Sequence, residues 1–279
     1  MTVLGRFVRS GKVKDIYDLD AKHLLFHFTD RVSAFDVILP SFIPRKGEVL
    51  CRLGAYWFET LGVRNHMVRL EGSDKMVVRK LQMFPVESVV RGYLYGSLYE
   101  RTRAGDVSNL PTKEMAAKLP EPYFDPTTKS DTKDVPISPA EILEQKRMRA
   151  AELEEVRNVS ISIYLKLSAA AKKAGFILAD VKLEFGKDEQ GEVVLGDSIG
   201  PDEFRLWPAE SYKAGKAQES FDKQVIRDWL ISVGYKKSLD DSRKTGSKPP
   251  TPPKLPASLV SEVSGRYVSA YERLTGRKF

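Results

Sequence analysis

A strand-like run at residues 179–186 alternates apolar with charged side chains. Successive side chains of a strand point to opposite faces, so Asp180, Lys182 and Glu184 share one face, spaced about 7 Å apart. Carboxylates that converge beside a lysine suit a magnesium ion carrying nucleotide phosphates, because hard cations take oxygen ligands. The solvent face of an ordinary antiparallel hairpin gives the same pattern, and on the pattern alone it is the favoured alternative.

A second strand is predicted at residues 192–197, after a turn at residues 187–191. Pairing of the two strands is expected to bring Asp197 back across from the region of Asp180. This arrangement would add a further carboxylate to the charged face.

Residues 83–97 form a second group with chemical potential. Glu87 and Arg91 interrupt an otherwise apolar strand, and Gly96 and Ser97 stand where a helical pattern begins. The free N–H groups of a helix N-terminus and a nearby arginine together make a competent phosphate site. Taken alone, Ser97 indicates only a helix cap.

Three polar segments carry weaker signals. A glycine turn flanked by Lys12 and Lys14 could fold over a triphosphate, although a basic surface hairpin is the default interpretation. The segment that holds Ser33 and Asp36 predicts either a Ser-x-x-Asp cap or an active-site turn. Residues 126–134 hold hydroxyls, lysines and aspartates that could grip a dicarboxylic amino acid, but a mobile polar loop has the same composition.

The elements that must position these residues begin with a β-rich N-terminal part. Short apolar runs between turn residues predict strands within residues 6–17, 23–29 and 67–81. Apolar residues at helical spacing predict a helix at residues 49–61. A capping box at Ser138 and Glu141 begins a helical region that ends at Gly175, and an apolar stripe at residues 259–274 predicts a last helix.

Composition limits the classes of protein that remain. The chain has 279 residues, a net charge of +7 and one cysteine, Cys51. Residues 236–279 hold 10 Lys/Arg and 4 Asp/Glu, a net of +6, so the rest of the chain is nearly balanced and the charge favours a solvated tail over a nucleic-acid site. We find no run of about 18 apolar residues and no signal-peptide core, and we expect a soluble, cytoplasmic protein without disulfides.

The segments described above, in this order and spacing, resemble the SAICAR synthetase family of purine biosynthesis. The matching segments are residues 11–12, 29–36, 85–97, 125–138, 180–186 and 196–207. Each segment is weak by itself, but six of them in register cover most of the chain.

This resemblance implies an α+β fold with two lobes. A small β-rich lobe at residues 1–86, similar to the ATP-binding lobe of kinases, would pack on a larger α+β lobe at residues 87–279, with the active-site cleft between them. The family condenses carboxyaminoimidazole ribotide with L-aspartate and cleaves ATP to ADP and phosphate. ATP and Mg²⁺ are therefore the implied co-substrate and metal. The expected partners are small molecules, without nucleic acid or membrane, and a homodimer is left open.

Matching positions imply the roles of individual residues. ATP would contact Lys12, Lys14, Gln82 and Met83. Magnesium would be held by Glu184 and Asp197. The phosphate of the ribotide would be held by Arg91, Ser97 and Arg205.

The reacting end of the substrates would involve a second set of residues. The imidazole carboxylate would be surrounded by Glu87, Asp180 and Lys182, and the catalytic set would be Asp180, Lys182 and Glu184. The loop over substrate and aspartate would supply Lys129, Ser130 and Asp134, and further substrate contacts would come from Ser33 and Asp36. Lys133 stands where the family often has a histidine, so the role of this position is open.

The implied chemistry is physically coherent. A carboxylate is a poor electrophile, so ATP must convert it to an acyl phosphate or an equivalent form before an amine attacks. Cations then neutralise the charge that builds during phosphoryl transfer.

Two alternatives remain, a small-molecule kinase with a related ATP cleft and a nucleic-acid-binding protein that uses the basic tail.

Overall fold

The computed structural model of the chain describes residues 5–129, 134–221 and 224–279. In chain order, the strands are β1 Arg6–Ser10, β2 Lys14–Asp18, β3 His23–Phe28, β4 Arg31–Ala34, β5 Val37–Phe42, β6 Met67–Leu70, β7 Lys75–Arg79, β8 Gln82–Tyr93, β9 Lys118–Phe124, β10 Thr127–Thr128, β11 Phe176–Lys187, β12 Val193–Leu195 and β13 Phe204–Pro208. The helices are α1 Lys46–Thr60, α2 Ser97–Ala104, α3 Pro139–Glu144, α4 Ala150–Lys173, α5 Gln224–Ser232, α6 Tyr235–Thr245 and α7 Ala257–Thr275.

The chain divides into two compact units. The first consists of Met1–Ala55, Val68–Val78 and Ser220–Phe279, and the second consists of Tyr56–Met67 and Arg79–Glu219. The C-terminal helices therefore group with the N-terminal sheet, whereas the sequence predicted them in the second lobe. The division into functional lobes at residues 86 and 87 stays a prediction.

The first unit is built on a five-stranded sheet with the order β1-β2-β3-β7-β6. Strand β2 is antiparallel to both β1 and β3, and β4 forms a separate antiparallel pair with β5. The predicted helix at residues 49–61 is present as α1, and its apolar residues Leu50 and Leu53 are buried. The predicted last helix is α7, which buries Val263, Tyr267 and Tyr271.

The second unit contains a six-stranded sheet in which β8 and β11 are the central strands. Each is 12 residues long, and they pair antiparallel along most of their length. Helix α4 covers one face of this sheet and buries Val156, Ile163 and Leu167, while β11 contributes Val181 and Leu183 to the same core. The long pairing holds the charged residues of both strands in a fixed register.

Local capping explains where the helices of this unit begin and end. The predicted capping box is confirmed, because the Ser138 hydroxyl accepts from the Glu141 N–H and the Glu141 carboxylate accepts from the Ser138 N–H. The helical region that follows is two helices, α3 and α4, with a break at residues 145–149. Gly175 follows the C-cap Ala174 and has φ 76, a left-handed conformation that glycine adopts readily.

The predicted position of Asp197 opposite Asp180 is wrong. Strand β12 is only three residues long and pairs Leu195 with Phe185, so the hairpin ends before Asp197. Asp180 instead pairs with Arg91 on β8 and with Arg205 on β13.

The helices in the described ranges include none with the length and apolar character that a membrane span requires.

Candidate active site

Two neighbouring strands bring the predicted charged residues together. In the antiparallel pairing of β8 with β11, Glu87 lies opposite Glu184 and Arg91 lies opposite Asp180. The carboxylates are buried, since Glu87, Asp180 and Glu184 are 4 %, 6 % and 8 % exposed. The alternative of an ordinary solvent-facing hairpin is therefore wrong. Buried charges require partners, and each of these residues has them.

Glu87 and Lys182 form an ion pair on this face. Lys182 Nζ donates to Glu87 Oε1 at 2.7 Å, and the Thr127 hydroxyl donates to Oε2 at 3.2 Å. Burial raises the pKa of Glu87 above its ordinary 4.5, and Lys182 offsets only part of this effect. Burial acts to lower the pKa of Lys182, but the charge of Glu87 and the hydrogen bond to it raise the pKa above 10.5. Lys182 therefore keeps its proton near neutral pH.

The two described ends of the predicted substrate loop lie near this pair. Lys129 forms an ion pair with the carboxylate of Glu184. The charge of Asp134 contributes to the raised pKa of Glu87. Ser130 and Lys133 lie outside the described residues. Lys129 thus contacts the charged face and the charge of Asp134 acts on it, while their role over the substrates stays a prediction.

Arg91 is the centre of a second cluster of polar side chains, which includes Ser97 at the start of helix α2. Its side chain is 4 % exposed, and its Nη2 donates to the Ser97 hydroxyl at 2.9 Å. Its Nη1 donates to Asp180 Oδ2 at 3.3 Å. Arg205 Nη1 lies 3.3 Å from the same Asp180 oxygen. The three residues predicted to hold a phosphate, Arg91, Ser97 and Arg205, are therefore brought together.

Ser97 is the first residue of α2 and is not its cap. Gly96 occupies the N-cap position with φ 60, and no side chain caps the helix. A Cβ at Gly96 would lie 2.5 Å from Arg205 Nη1, so glycine is required for the close approach of this guanidinium. The Ser97 hydroxyl consequently accepts from Arg91, and the first turn of α2, with its free N–H groups, begins at this residue.

Sequence reasoning assigned no role to Asp125 and Arg101, although both join this cluster. Asp125 Oδ2 accepts from Arg91 Nε at 2.6 Å. Arg101 Nη2 donates to both oxygens of Asp125, at 2.6 and 2.7 Å. Asp125 opens one of the segments that carried the family resemblance, and this position was the available signal. Arg101 lies one turn after Ser97 on α2, a spacing that puts the two on the same side of the helix.

Asp197 follows Gly196, whose backbone is hydrogen-bonded to Glu184. The Gly196 N–H donates to the Glu184 carbonyl at 2.8 Å, which brings the next residue to the end of the charged strand. Asp197 has φ 55, a left-handed conformation that aspartate tolerates better than most residues. His66, which is buried and was not predicted, donates through Nε2 to the Asp197 carbonyl at 2.9 Å and supports this turn.

Glu184 and Asp197 would be the two carboxylate ligands of a magnesium ion that shares its coordination with phosphates. Within the described ranges there is no cluster of three His, Cys, Asp or Glu side chains able to hold a metal by themselves. Magnesium sites in nucleotide enzymes use one or two carboxylates and complete the shell with phosphates and water. The ion pair with the Lys129 ammonium also indicates that the Glu184 carboxylate attracts a cation.

Four of the predicted residues lie in the first unit. Lys12 Nζ is 2.7 Å from Asp36 Oδ1, and this hydrogen bond lowers the pKa of Asp36. Ser33 lies on β4, which leads into the turn that contains Asp36. Lys14 is 8 % exposed, with its ammonium 4.7 Å from the centre of the Phe26 ring. The interpretation as a basic surface hairpin therefore holds for Lys12 and fails for Lys14.

Gln82 and Met83 line a cavity of about 610 Å³ in the second unit. Phe84, Arg147 and Lys187 line it as well, and it extends to the first turn of α4. Asp180, Lys182 and Glu184 are not among its lining residues. The cavity is thus separate from the charged face, and the adenine contact predicted at Gln82 and Met83 stays a prediction.

Comparison with known proteins gives one consistent family. The family described as SAICAR synthetase matches residues 7–242. A phosphoribosylaminoimidazole-succinocarboxamide synthase from Nitrosopumilus maritimus (strain SCM1) is 49% identical over 275 residues, which cover 97% of this chain and 98% of the relative.

Solved structures agree with this match. SAICAR-synthase from Saccharomyces cerevisiae, complexed with SAICAR, has a TM-score of 0.86 at 34% identity and covers 100% of this chain and 97% of its own. A SAICAR synthetase (Type-2) in complex with ADP has a TM-score of 0.73 at 28% identity, and the match covers 98% of this chain and 99% of that one. The chain shares the α+β fold of these proteins and belongs to the SAICAR synthetase family.

Proposed function

We propose that this chain is an ATP-dependent ligase that joins the carboxylate of carboxyaminoimidazole ribotide to the amine of L-aspartate. The products are SAICAR, ADP and phosphate. The observation that carries the proposal is the pairing of β8 with β11, which fixes a cationic cluster around Arg91 and a carboxylate–lysine cluster around Glu87 on the same two strands. Membership in the family, and relatives that carry SAICAR and ADP, support the same reaction.

The cluster around Arg91 is suited to the phosphate of the ribotide. Two guanidiniums, Arg91 and Arg205, converge with the Ser97 hydroxyl at the start of α2. Guanidiniums and the free N–H groups of a first helical turn are both strong phosphate ligands. Glu87 lies four residues from Arg91, about 13 Å along the strand, so one small molecule with a phosphate at one end and a carboxylate at the other spans the two clusters.

The cluster around Glu87 is suited to the reacting carboxylate. Lys182 stays protonated, since its pKa is raised by Glu87, and presents an ammonium to an anionic oxygen. Glu87 holds that ammonium in place through the 2.7 Å hydrogen bond. A fixed positive charge holds the carboxylate in place for its attack on phosphorus, and it stabilises the carbonyl oxygen that gains negative charge when the amine attacks the activated carbon. Asp180 orients both arginines at the other end.

Magnesium belongs to this proposal, with Glu184 and Asp197 as its ligands. Bound there, it would neutralise phosphate charge during phosphoryl transfer. Lys129, which contacts Glu184, and Asp134 would bind L-aspartate together with Ser130. ATP phosphates are assigned to Lys12 and Lys14, adenine to the backbone of Gln82 and Met83, and further substrate contacts to Ser33 and Asp36.

Omission of single substrates tests this function. ADP release is measured with the ribotide, L-aspartate and Mg-ATP, and then with each left out. We expect release only when all are present, together with formation of SAICAR. ADP release that needs the ribotide but not aspartate would support the small-molecule kinase alternative, which family membership does not favour.

Location and assembly are also part of the proposal. A cytoplasmic location is supported by the single, buried Cys51, which requires no oxidising compartment. The homodimer is tested by sedimentation equilibrium, where a monomer of 31.4 kDa and a dimer of twice that mass are readily separated.

A further inference from the structure

Asp125 and Arg101 lie behind Arg91. The Asp125 N–H donates to the Val89 carbonyl at 2.8 Å, so the residue is fixed relative to β8. Its side chain is buried, and its two oxygens are shared between the Arg91 Nε and the Arg101 Nη2. The two arginines come from different elements, and Asp125 is the carboxylate that joins them.

The contact to Nε determines how Arg91 faces a ligand. A guanidinium can grip phosphate with its end, made by the two terminal nitrogens, or with its side, made by Nε and one terminal nitrogen. Asp125 occupies Nε, so the side edge is used inside the protein. The terminal nitrogens lie toward Ser97 and Asp180, where the phosphate cluster is. Asp125 therefore selects the end edge of Arg91.

Arg101 determines how much positive charge remains. Arg91 contacts two carboxylates, Asp125 and Asp180, and Asp180 also contacts Arg205, so the charges of these four residues cancel. The guanidinium of Arg101, which contacts Asp125, brings the net charge of the cluster to +1. Charges in a buried site are weakly screened, so this excess acts strongly on an incoming anion.

We infer that Asp125 and Arg101 are positioning residues for the ribotide phosphate. Asp125 fixes the orientation of Arg91, and Arg101 keeps the electrostatic field at the cluster positive. The inference rests on the proposed function for the identity of the phosphorylated ligand. A purely structural ion pair would affect folding and would leave the preference for a phosphate unchanged.

Kinetics of matched variants test the inference. The variants are Asp125→Asn, which keeps an acceptor for Arg91 but loses the charge, and Arg101→Gln. The control is Arg103→Gln on the same helix, since Arg103 is exposed, forms an ion pair with Glu100 and lies over the Tyr99 ring, away from Asp125. We expect the KM for the ribotide to rise about 10- to 100-fold in both variants, the effect of losing one hydrogen bond to a charged group, while the KM for ATP stays unchanged.

Calorimetric titration with ribose 5-phosphate measures binding at the phosphate cluster without any reaction taking place. We expect weaker binding by Asp125→Asn and Arg101→Gln and wild-type binding by Arg103→Gln. This result supports the inference even if the wild-type protein forms no SAICAR, an outcome that refutes only the proposed function. If Asp125→Asn does not fold, the ribose 5-phosphate affinity of Arg101→Gln alone tests the inference, because Arg101 is partly exposed. Unchanged ribose 5-phosphate affinity in the folded variants overturns the inference, as does an equal rise of the KM for every substrate.

Discussion

Lys182 on β11 donates a 2.7 Å hydrogen bond to Glu87 on the neighbouring strand β8. The two residues are not directly opposite each other, because Glu87 pairs with Glu184 and Lys182 pairs with Val89. The long lysine side chain therefore reaches diagonally across the sheet. This bond keeps a protonated lysine beside a carboxylate whose own pKa is raised by burial.

The first prediction concerns the pH dependence of activity. Because burial raises the pKa of Glu87 above 4.5, this carboxylate takes up a proton at a higher pH than a free glutamate. Protonation releases Lys182, so kcat/KM should fall on the acid side with a midpoint above 4.5. Glu87→Gln should remove this limb and lower kcat/KM about 10- to 100-fold at neutral pH.

The pH profile of both proteins is measured with the fold followed by circular dichroism over the same range. If the fall in kcat/KM at low pH persists unchanged in Glu87→Gln, a group other than Glu87 causes it. A midpoint at or below 4.5 would contradict the direction of the pKa shift.

The second prediction concerns Gly96. An alanine Cβ there would lie 2.5 Å from Arg205 Nη1, and the backbone has φ 60. Gly96→Ala should displace Arg205 and raise the KM for the ribotide, with a loss of stability of about 1 kcal/mol from the left-handed backbone.

Gly105→Ala is the control for the loss of stability that comes from the backbone conformation alone. Gly105 ends the same helix at φ 91, and a Cβ there meets nothing within 4 Å. Because Gly105 is in the αL region and Gly96 has ψ −137, Gly105→Ala should cost less stability than Gly96→Ala, and it should leave the KM unchanged. Equal KM values for the two variants would rule out displacement of Arg205.

How far the sequence predicted this site is clearest at β11. Alternation of apolar and charged residues correctly predicted that Asp180, Lys182 and Glu184 share a face, because side-chain direction in a strand is a local property. Whether that face met water or the protein depended on strand β8, which is about 90 residues away in the chain, so periodicity could not decide it.

The errors share the same physical origin. Asp197 was predicted opposite Asp180 because hairpin length was extrapolated from the turn, but β12 ends at Leu195. Ser97 was an acceptable helix cap by residue type, yet Gly96 takes that position because Arg205 approaches it. These details arise from tertiary contacts that local propensity does not contain.

The third prediction concerns packing under the sheet. A Cβ at Gly92 would lie 1.6 Å from the hydroxyl oxygen of Tyr164, which donates to the Leu178 carbonyl at 2.9 Å. Gly92→Ala should therefore lower the free energy of unfolding by about 2 to 4 kcal/mol through overpacking.

Tyr164→Phe removes the oxygen at 1.6 Å but keeps the ring carbon Cζ at 2.5 Å, so it relieves only part of the clash. It also leaves the Leu178 carbonyl without this hydrogen bond, at a cost of about 1 to 2 kcal/mol. The double variant should be more stable than the sum of the two single changes predicts. Denaturant unfolding of the four proteins measures this coupling, and strict additivity would exclude the contact.

The fourth prediction concerns Cys51, which is the only cysteine in the sequence. It is fully buried, and burial raises the pKa of its thiol to about 12. At pH 8 only about one molecule in 10⁴ would carry the reactive thiolate. A disulfide reagent should leave the native protein unmodified for hours and should modify one thiol per chain in guanidinium chloride. Fast modification of the native protein would contradict the burial of Cys51.

The central claim is that Glu184, on the buried face of β11, acts in the ligase reaction. Its test is the rate of SAICAR formation, followed by mass spectrometry, in Glu184→Gln. The matched control is Glu192→Gln, because Glu192 lies beyond the same strand, is half exposed and pairs with Arg64. We predict a loss of at least about 10³-fold for Glu184→Gln, with a folded protein and an unchanged control. Wild-type rates in a folded Glu184→Gln protein would contradict the account.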